Sequence, residues 1–272
     1  MTADDLTQAH ALSHAASWPH RLEDWKALFR LGRGVVAEAD QVVIGTAMGW
    51  PFGDDAAAIG MVIVSQDHQG KGIGRGLMNA LAERLGAKTM MLNSTREGLA
   101  LYSRFGFRDE RIIHQHQGAA FAVPIIELRP NERIRPMGMA DRAVLTALDQ
   151  EATGLPRAAL MSELQRKGKW LVLDRDDGLA GFAMFRRFGR GYAIGPVVAP
   201  DLNGAKALIS HWLGSNAGMF IRLDIPEESG LCEWLNGLGI AHVDQVTGMT
   251  AGPAPVRGRN VRTFSLVSQA MG

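Results

Sequence analysis

The chain has 272 residues, a length that suits about two domains at ~150 residues each. With 46% hydrophobic and 21% charged residues it is neither disordered nor low-complexity. Its 29 basic and 28 acidic residues leave a net charge of +1, which disfavours nucleic acid and other polyanions as general partners. A single cysteine, Cys232, excludes an intrachain disulfide and a cysteine-rich metal site. The acidic opening Met1-Thr2-Ala3-Asp4-Asp5 does not resemble a secretory leader, and no apolar run approaches the ~18 residues of a membrane span. A cytoplasmic protein, monomeric or homodimeric and without a membrane partner, is the expectation.

Along the chain, a helical opening (Leu6 to Phe29) leads to a β-rich stretch in which Val35–Glu38 and Val42–Met48 flank a hairpin-like turn at Asp40-Gln41. A third apolar run, Ala56 to Val64, precedes a glycine-rich segment. A helix from Gly74 to Leu85 follows, its Leu77, Leu81 and Leu85 at helical spacing. A short strand (Thr89 to Leu92), a helix (Glu97 to Phe105) and a closing strand (Ala120 to Leu128) complete the unit. The class is α/β or α+β with a mixed, mostly antiparallel sheet flanked by helices.

The unit then recurs. Met1–Leu12 reads like Met137–Leu148 at an offset of 136, and Gly45–Met48 like Gly181–Met184 at the same offset. Ala58–Val64 matches Ala193–Ala199 at 135, and Phe105-Gly106-Phe107 falls on Leu238-Gly239-Ile240 at 133. Four matches in one order describe a duplication, with domains at 1–130 and 131–272. The second copy carries Arg133-Ile134-Arg135-Pro136 ahead of its Met137, whereas the first starts at Met1. Either the first sheet is one strand short or translation begins upstream.

The segment Gln69-Gly70-Lys71-Gly72-Ile73-Gly74-Arg75-Gly76 joins a strand to a helix. Free backbone N–H groups and the helix dipole make such a junction an anion site, glycines allow close approach of a phosphate, and Lys71 and Arg75 add positive charge. The spacing fits neither a Walker loop nor a dinucleotide fingerprint: Lys71 is followed by Gly72, and no G-x-G-x-x-G can be completed from Gly70 or Gly72.

The pattern Q-x-x-G-x-G at Gln69, Gly72 and Gly74, with Leu101-Tyr102-Ser103-Arg104-Phe105-Gly106-Phe107 downstream, resembles the GNAT superfamily of N-acetyltransferases. The resemblance spans about Val35 to Phe107. It implies two tandem GNAT-like domains and acetyl-CoA as co-substrate, with no metal. The loop Gln69, Gly70, Lys71, Gly72, Ile73, Gly74 and Arg75 would hold the pyrophosphate, and the strand edge Met61, Val62, Ile63 and Val64 would pair with the pantetheine arm. Tyr102 would protonate the departing thiolate, which suits a phenol of pKa ~10. Many members carry Asn seven residues before this tyrosine; here that position is Thr95, with Asn93 two residues earlier, and either could contact the cofactor.

At offset 135, Gln69, Gly72 and Gly74 fall on Gly204, Ala207 and Ile209; at 133, Tyr102 falls on Leu235. The second copy is therefore expected to be a degenerate domain that walls the acceptor site or packs as a pseudo-symmetric partner. Trp18, His20, Trp25 and Trp50 are candidates for binding the acceptor, with core packing as the alternative for the tryptophans. Asp54, Asp55, Glu38 and His20 are candidate bases, beside a water relay; His114 and His116, at alternate positions in a strand or loop, suggest a metal pair but have no evident third ligand and read as solvated. The expected activity is direct transfer of acetyl to a primary amine of a small molecule. A non-catalytic acyl-CoA sensor and a protein-acetylating enzyme with an open groove are the alternatives.

Overall fold

The computed structural model describes all 272 residues. The helical opening is two helices, α1 (Leu6–Ala15) and α2 (Leu22–Leu31), followed by the hairpin β1 (Arg33–Ala39) and β2 (Val42–Phe52). Asp40 and Gln41 both take positive φ, 49° and 64°, the backbone that a two-residue hairpin turn demands. Then come β3 (Ala56–Val64), α3 (Ile73–Leu85), β4 (Thr89–Ser94), α4 (Leu99–Ser103) and β5 (Arg108–Gly118). The second half repeats the order after an extra edge strand, β6 (Glu132–Pro136). It runs α5 (Arg142–Thr153), α6 (Ala158–Lys167), β7 (Lys169–Arg175), β8 (Gly178–Phe188), β9 (Gly191–Ala199), α7 (Leu202–Ser215), β10 (Ile221–Pro226), α8 (Cys232–Gly237), β11 (Ile240–Ala251) and β12 (Arg262–Ser265).

All twelve strands form one sheet in the order β1-β2-β3-β4-β11-β5-β10-β9-β8-β7-β6, with β12 against β9. Only the β3–β4 and β9–β10 pairs are parallel. The centre is interleaved. Strand β11 of the second half lies between β4 and β5 of the first, with Gly248 opposite Asn93 and Val246 opposite Ile113. Strand β5 in turn lies between β11 and β10, with His116 opposite Leu223. Each half thus completes the other's sheet. Backbones crowd where the three strands end: a Cβ on Gly118 would lie 2.1 Å from the carbonyl oxygen of Gly239, so only glycine fits there.

This topology corrects the expected closing strand. Residues 120–128 form no strand; they are an extended connector on which Phe121 and Ile125 are 80% and 98% exposed. The sheet position such a strand would take beside β4 is held by β11, and Pro124 has no amide to give a ladder. The segment around His114 and His116, which from sequence could be strand or loop, is the strand β5.

The helices cover both faces. α1, α2, α5 and α6 share one core, in which Trp25, Trp50, Leu145, Met161 and Phe182 are fully or almost fully buried. On the opposite face α3 packs Leu77, Met78 and Leu81 on the first half, and α7 packs Leu208, Ile209 and Leu213 on the second. The shared core and the interleaved strands make the halves one folding unit. Residues 1–130 produced alone would leave β4 and β5 without β11 and β10. That fragment is expected to bind hydrophobic dyes and show no cooperative unfolding, and mixing it with 131–272 should restore both a cooperative transition and native circular dichroism. A monomeric, cooperatively folding 1–130 fragment would contradict the interdependence.

Candidate active site

Strands β3 and β4 are parallel only from Ala56 opposite Thr89 to Ile59 opposite Leu92. Beyond that register they splay, and the β4-facing edge of residues 60–64 pairs with no strand. On its other edge β3 carries a bulge: Thr46 pairs with Ile63 and Met48 with Gly60, so Met61 and Val62 together oppose Ala47. Met61 takes φ +53°, unusual for a residue with a side chain, and the Thr46 hydroxyl donates to its carbonyl at 2.8 Å. The bulge re-aims the backbone into the splay.

The open strand edge leads to the glycine loop. Gly70 (φ +75°) and Gly72 (φ +81°) are left-handed, and a Cβ at either would meet nothing within 4 Å, so the glycines serve backbone conformation and an unobstructed surface, with no packing to satisfy. Gly72 is the N-cap of α3; having no side chain, it leaves the first-turn amides to whatever lies outside. Gln69 folds back to donate to the Val64 carbonyl at 3.1 Å, and Lys71 donates to the Asp67 carbonyl at 3.0 Å, which fixes the loop's shape. Arg75 makes no ion pair. An open cleft of about 1480 Å³ runs from this loop along Val62–Val64, between the end of α1 and α4.

Tyr102 lines the same cleft from α4, its ring wedged edge-on to Phe107 at 6.0 Å. A Cβ on Gly98 would lie 2.8 Å from that ring, so the tyrosine is held closely from below. Burial pushes its phenol up to about 12. Thr95 lines both the cleft and the cavity next to it, whereas Asn93 lines only the cavity and donates to the Gln269 carbonyl at 2.7 Å.

That neighbouring cavity, of about 380 Å³, meets the cleft at Trp18 and Thr95. Gly60, Met61 and Asn93 form one end; Tyr192, Phe220 and Arg222 of the second half form the other, under a roof that includes Trp18 and His20. The tryptophans of α2 and β2 take no part. Trp25 and Trp50 are 0% and 2% exposed, with their indole N–H groups bonded to the Ser13 hydroxyl and the Leu28 carbonyl, so both belong to the core. Asp54 and Asp55 sit at the exposed β2–β3 turn, where Asp55 pairs with Lys88, and Glu38 is on the outer strand β1; none of the three lines either space. Nor are the β5 histidines solvated. His116 is fully buried, with Nδ1 against the Ile240 carbonyl, and His114 lies 3.1 Å from His242 across the β5–β11 seam. Their ring face is turned away from the Gln115 and Gln117 side chains that floor the cavity.

The second half lacks this architecture for a different reason from the one the offsets suggested. Its β9–α7 connection is only Pro200-Asp201, against the eight residues 65–72 of the first half. Ile209 is therefore not a loop residue but lies within α7, fully buried. The α7 cap is Asp201, whose carboxylate accepts from Gly204 N at 2.9 Å and places negative charge where the first half offers free amides. The splay between β9 and β10 is also filled. β12 pairs with β9, Leu266 N donates to the Asp224 carbonyl at 2.8 Å, and the Ser265 hydroxyl donates to the Ile194 carbonyl at 2.8 Å. Leu235 does occupy the place of Tyr102, at the matching position of α8, fully buried. The chain then runs on as a tail whose last carbonyls accept from Arg157, itself locked to Asp149 in a buried bidentate pair.

Comparison with known proteins agrees with this layout. Family models described as acetyltransferase (GNAT) domains match residues 30–109 and, separately, 145–265. Among curated proteins, the uncharacterized N-acetyltransferase YitH of Bacillus subtilis is 27% identical over 263 residues, 94% of this chain and 92% of its own. A mycothiol acetyltransferase of Frankia alni is 31% identical over 121 residues, 42% of this chain and 34% of its own. Among solved structures, a candidate acetyltransferase from Pyrococcus horikoshii superposes with a TM-score of 0.81 at 20% identity, over 100% of this chain and 94% of that one. A tandem GNAT protein from the clavulanic acid biosynthesis pathway superposes with 0.65 at 15% identity, over 93% and 98%.

One side chain in the cavity has a measurable electrostatic signature. The His20 ring sits edge-on to Phe188 at 5.5 Å, and its Nδ1 is buried with no hydrogen-bond partner. Burial lowers its pKa to about 4, helped by the Arg222 and Arg186 guanidinium groups and opposed by Asp24. The imidazole is therefore neutral at physiological pH, and acid favours the unfolded chain, in which it binds a proton near its ordinary value of 6.5. Stability from this group is complete above pH 6.5 and is lost as pH falls toward 4, up to about 3 kcal/mol. Urea midpoints at pH 7.5 and 5.0 are expected to differ more for the wild type than for His20→Gln, and equal differences would place the ring in solvent.

Proposed function

The chain belongs to the GNAT family of acetyltransferases, two of whose domains it carries in tandem, and from that membership we propose that the first half binds acetyl-CoA and transfers its acetyl group to a primary amine held in the cavity beside the cleft. The observation that carries this reading is the continuous path from glycine loop to splayed strand edge to cavity. The amides at the start of α3 face the open loop and suit a pyrophosphate, with Lys71 and Arg75 adding charge. The unpaired edge of Met61 to Val64 is a row of backbone groups spaced to pair with the amides of a pantetheine arm. At its inner end the bulge offers backbone N–H to a thioester carbonyl, which becomes an oxyanion as the amine attacks.

In the reaction the amine lone pair attacks the carbonyl carbon, the C–N bond forms, the C–S bond breaks, and the nitrogen gives up a proton. The thiolate leaves beside Tyr102. A phenol held at about 12 is protonated throughout the working range, so it is always a donor, and its hydrogen bond stabilises the departing sulfur as it takes up a proton. No carboxylate of the first half faces the cavity. The end of the cavity beside Met61 carries no charged side chain, so an amine that enters it leaves bulk water, which favours its neutral form and reduces what a dedicated base has to do. A cavity walled by both halves favours a small acceptor over a protein.

Calorimetry with acetyl-CoA tests the reading first. The wild type is expected to bind one equivalent. Gly72→Asp, which introduces the second half's own capping carboxylate, should bind none, and Gly72→Asn, with similar backbone strain but no charge, should retain binding. No binding by the wild type would return the loop to a structural turn, and two equivalents would restore a site to the second half.

Tyr102→Phe is expected to lower kcat by about 10²-fold or more while leaving acetyl-CoA affinity unchanged. Because the acid form of Tyr102 is the working one and its pKa is about 12, kcat of the wild type should show no decline between pH 8 and 10 that the variant lacks. An unchanged kcat in Tyr102→Phe would remove its role.

A further inference from the structure

The acceptor cavity is long and electrically uneven. From Asn93 on β4 it crosses β11 and β5 to Arg222 on β10, which is three interstrand spacings or about 14 Å. The end at Met61 and Asn93, where the acetyl group would be delivered, carries no charged side chain. The middle is lined by Trp18, Phe188 and Val246 above the amides of Gln115 and Gln117.

The far end is cationic. Arg222 is 8% exposed and commits Nε and Nη2 to Asp224 at 2.8–3.1 Å, which leaves Nη1 with no protein partner. Arg190, in the β8–β9 turn, lines the same end and forms no ion pair with any acidic group. Asp244, exposed on β11 opposite Gln115 in the floor, is the single acidic residue among those lining the cavity. Behind the wall, Asp24 and Asp224 are already engaged by Arg21 and Arg222. The Phe188 ring lies under both Arg186 (4.7 Å) and Arg222 (5.6 Å), which holds these guanidinium groups in place at the apolar boundary.

We infer that the acceptor is an elongated amine bearing an anionic group, carboxylate or phosphate, at the end remote from its nucleophilic nitrogen, with an apolar spacer between. Its anion would pair with Arg190 and the free Nη1 of Arg222, and its nitrogen would then reach the bulge at Met61. The inference rests on the acetyltransferase reading of the adjoining cleft. A polycation would meet two guanidinium groups at the far end, and a short amino acid could not span the cavity while engaging them. In the transfer itself the amine nitrogen forms the amide as the C–S bond breaks, losing one proton while the thiolate gains one, and the remote anion is unchanged.

The test is a ruler. Straight-chain ω-amino acids from glycine to aminooctanoate are assayed by release of free CoA thiol, beside octylamine, which has a similar amine and no carboxylate, and spermidine. The expected result is kcat/KM rising about tenfold or more from glycine to aminooctanoate, with octylamine and spermidine lower than aminooctanoate by a similar factor. Arg190→Gln should shrink the aminooctanoate-to-octylamine ratio without altering acetyl-CoA binding. Glycine as the best acceptor, octylamine or spermidine equal to aminooctanoate, or an acetyl-CoA-binding protein that acetylates none of the ω-amino acids would each overturn the inference. A phosphate-ended amine outperforming its carboxylate counterpart would assign the anion as phosphate. Failure to bind acetyl-CoA would instead overturn the reading of the cleft on which the inference rests.

Discussion

The antiparallel pairing of β5 with β11, ten residue pairs drawn from opposite halves of the chain, is the interaction on which the other features depend. It gives β4 a partner on one edge while the other edge parts from β3, so the splay stays open without leaving the sheet unfinished. It also lays Gln115 and Gln117 beside Asp244 and Val246 as one floor, and brings Arg222 of β10 within the same cavity as Met61 of β3. Two side-by-side domains joined only through surface contacts would have no such floor.

Duplication gave two splays, and they met different fates for a reason that is local. An open pair of strand edges must satisfy its backbone groups from somewhere. In the second half the chain does this itself, with β12 and Leu266 inserted between β9 and β10 and Phe264 fully buried beneath. The first half has no such insert, and its groups face a cleft that continues to a glycine-capped helix. The short Pro200-Asp201 connection and the long 65–72 loop are the corresponding difference at the helix ends: one cap is satisfied by its own carboxylate, the other is a glycine with no side chain to satisfy it.

Much of the first half could be read directly from residues. The Asp40-Gln41 turn, the run Ala56–Val64, the loop and the α3 helix all follow from local patterns, and each forms as expected. What could not be read was decided by partners distant in sequence. β5 (RDERIIHQHQG) reads equally as strand or loop because one face floors a polar cavity and its other face carries histidines against α8 and β11, so neither shows the usual apolar alternation. The apolar run Ala120–Leu128 looks like a strand, yet its sheet position had already been taken. The loss of six residues between β9 and α7 was hidden because the offset of 135 that fits β9 was carried on past it, which set the loop residues Gln69, Gly72 and Gly74 against Gly204, Ala207 and Ile209 of the α7 helix. Trp25 and Trp50 resemble site aromatics in sequence, but burial depends on α1, α5 and α6 closing over them.

The interleaved centre also bears on how the molecule is made. β5 is complete at residue 118, but its two neighbours span 221–226 and 240–251, so at least a hundred further residues must leave the ribosome before either long edge of β5 can be closed. Contacts of such separation are slow to form, and unpaired strand edges held open in the meantime invite association with other chains. The polar character of β5 fits that wait: charged side chains such as Arg108, Asp109, Glu110 and Arg111 are the kind that discourage edge-to-edge association, and the strand's glutamines later floor the cavity.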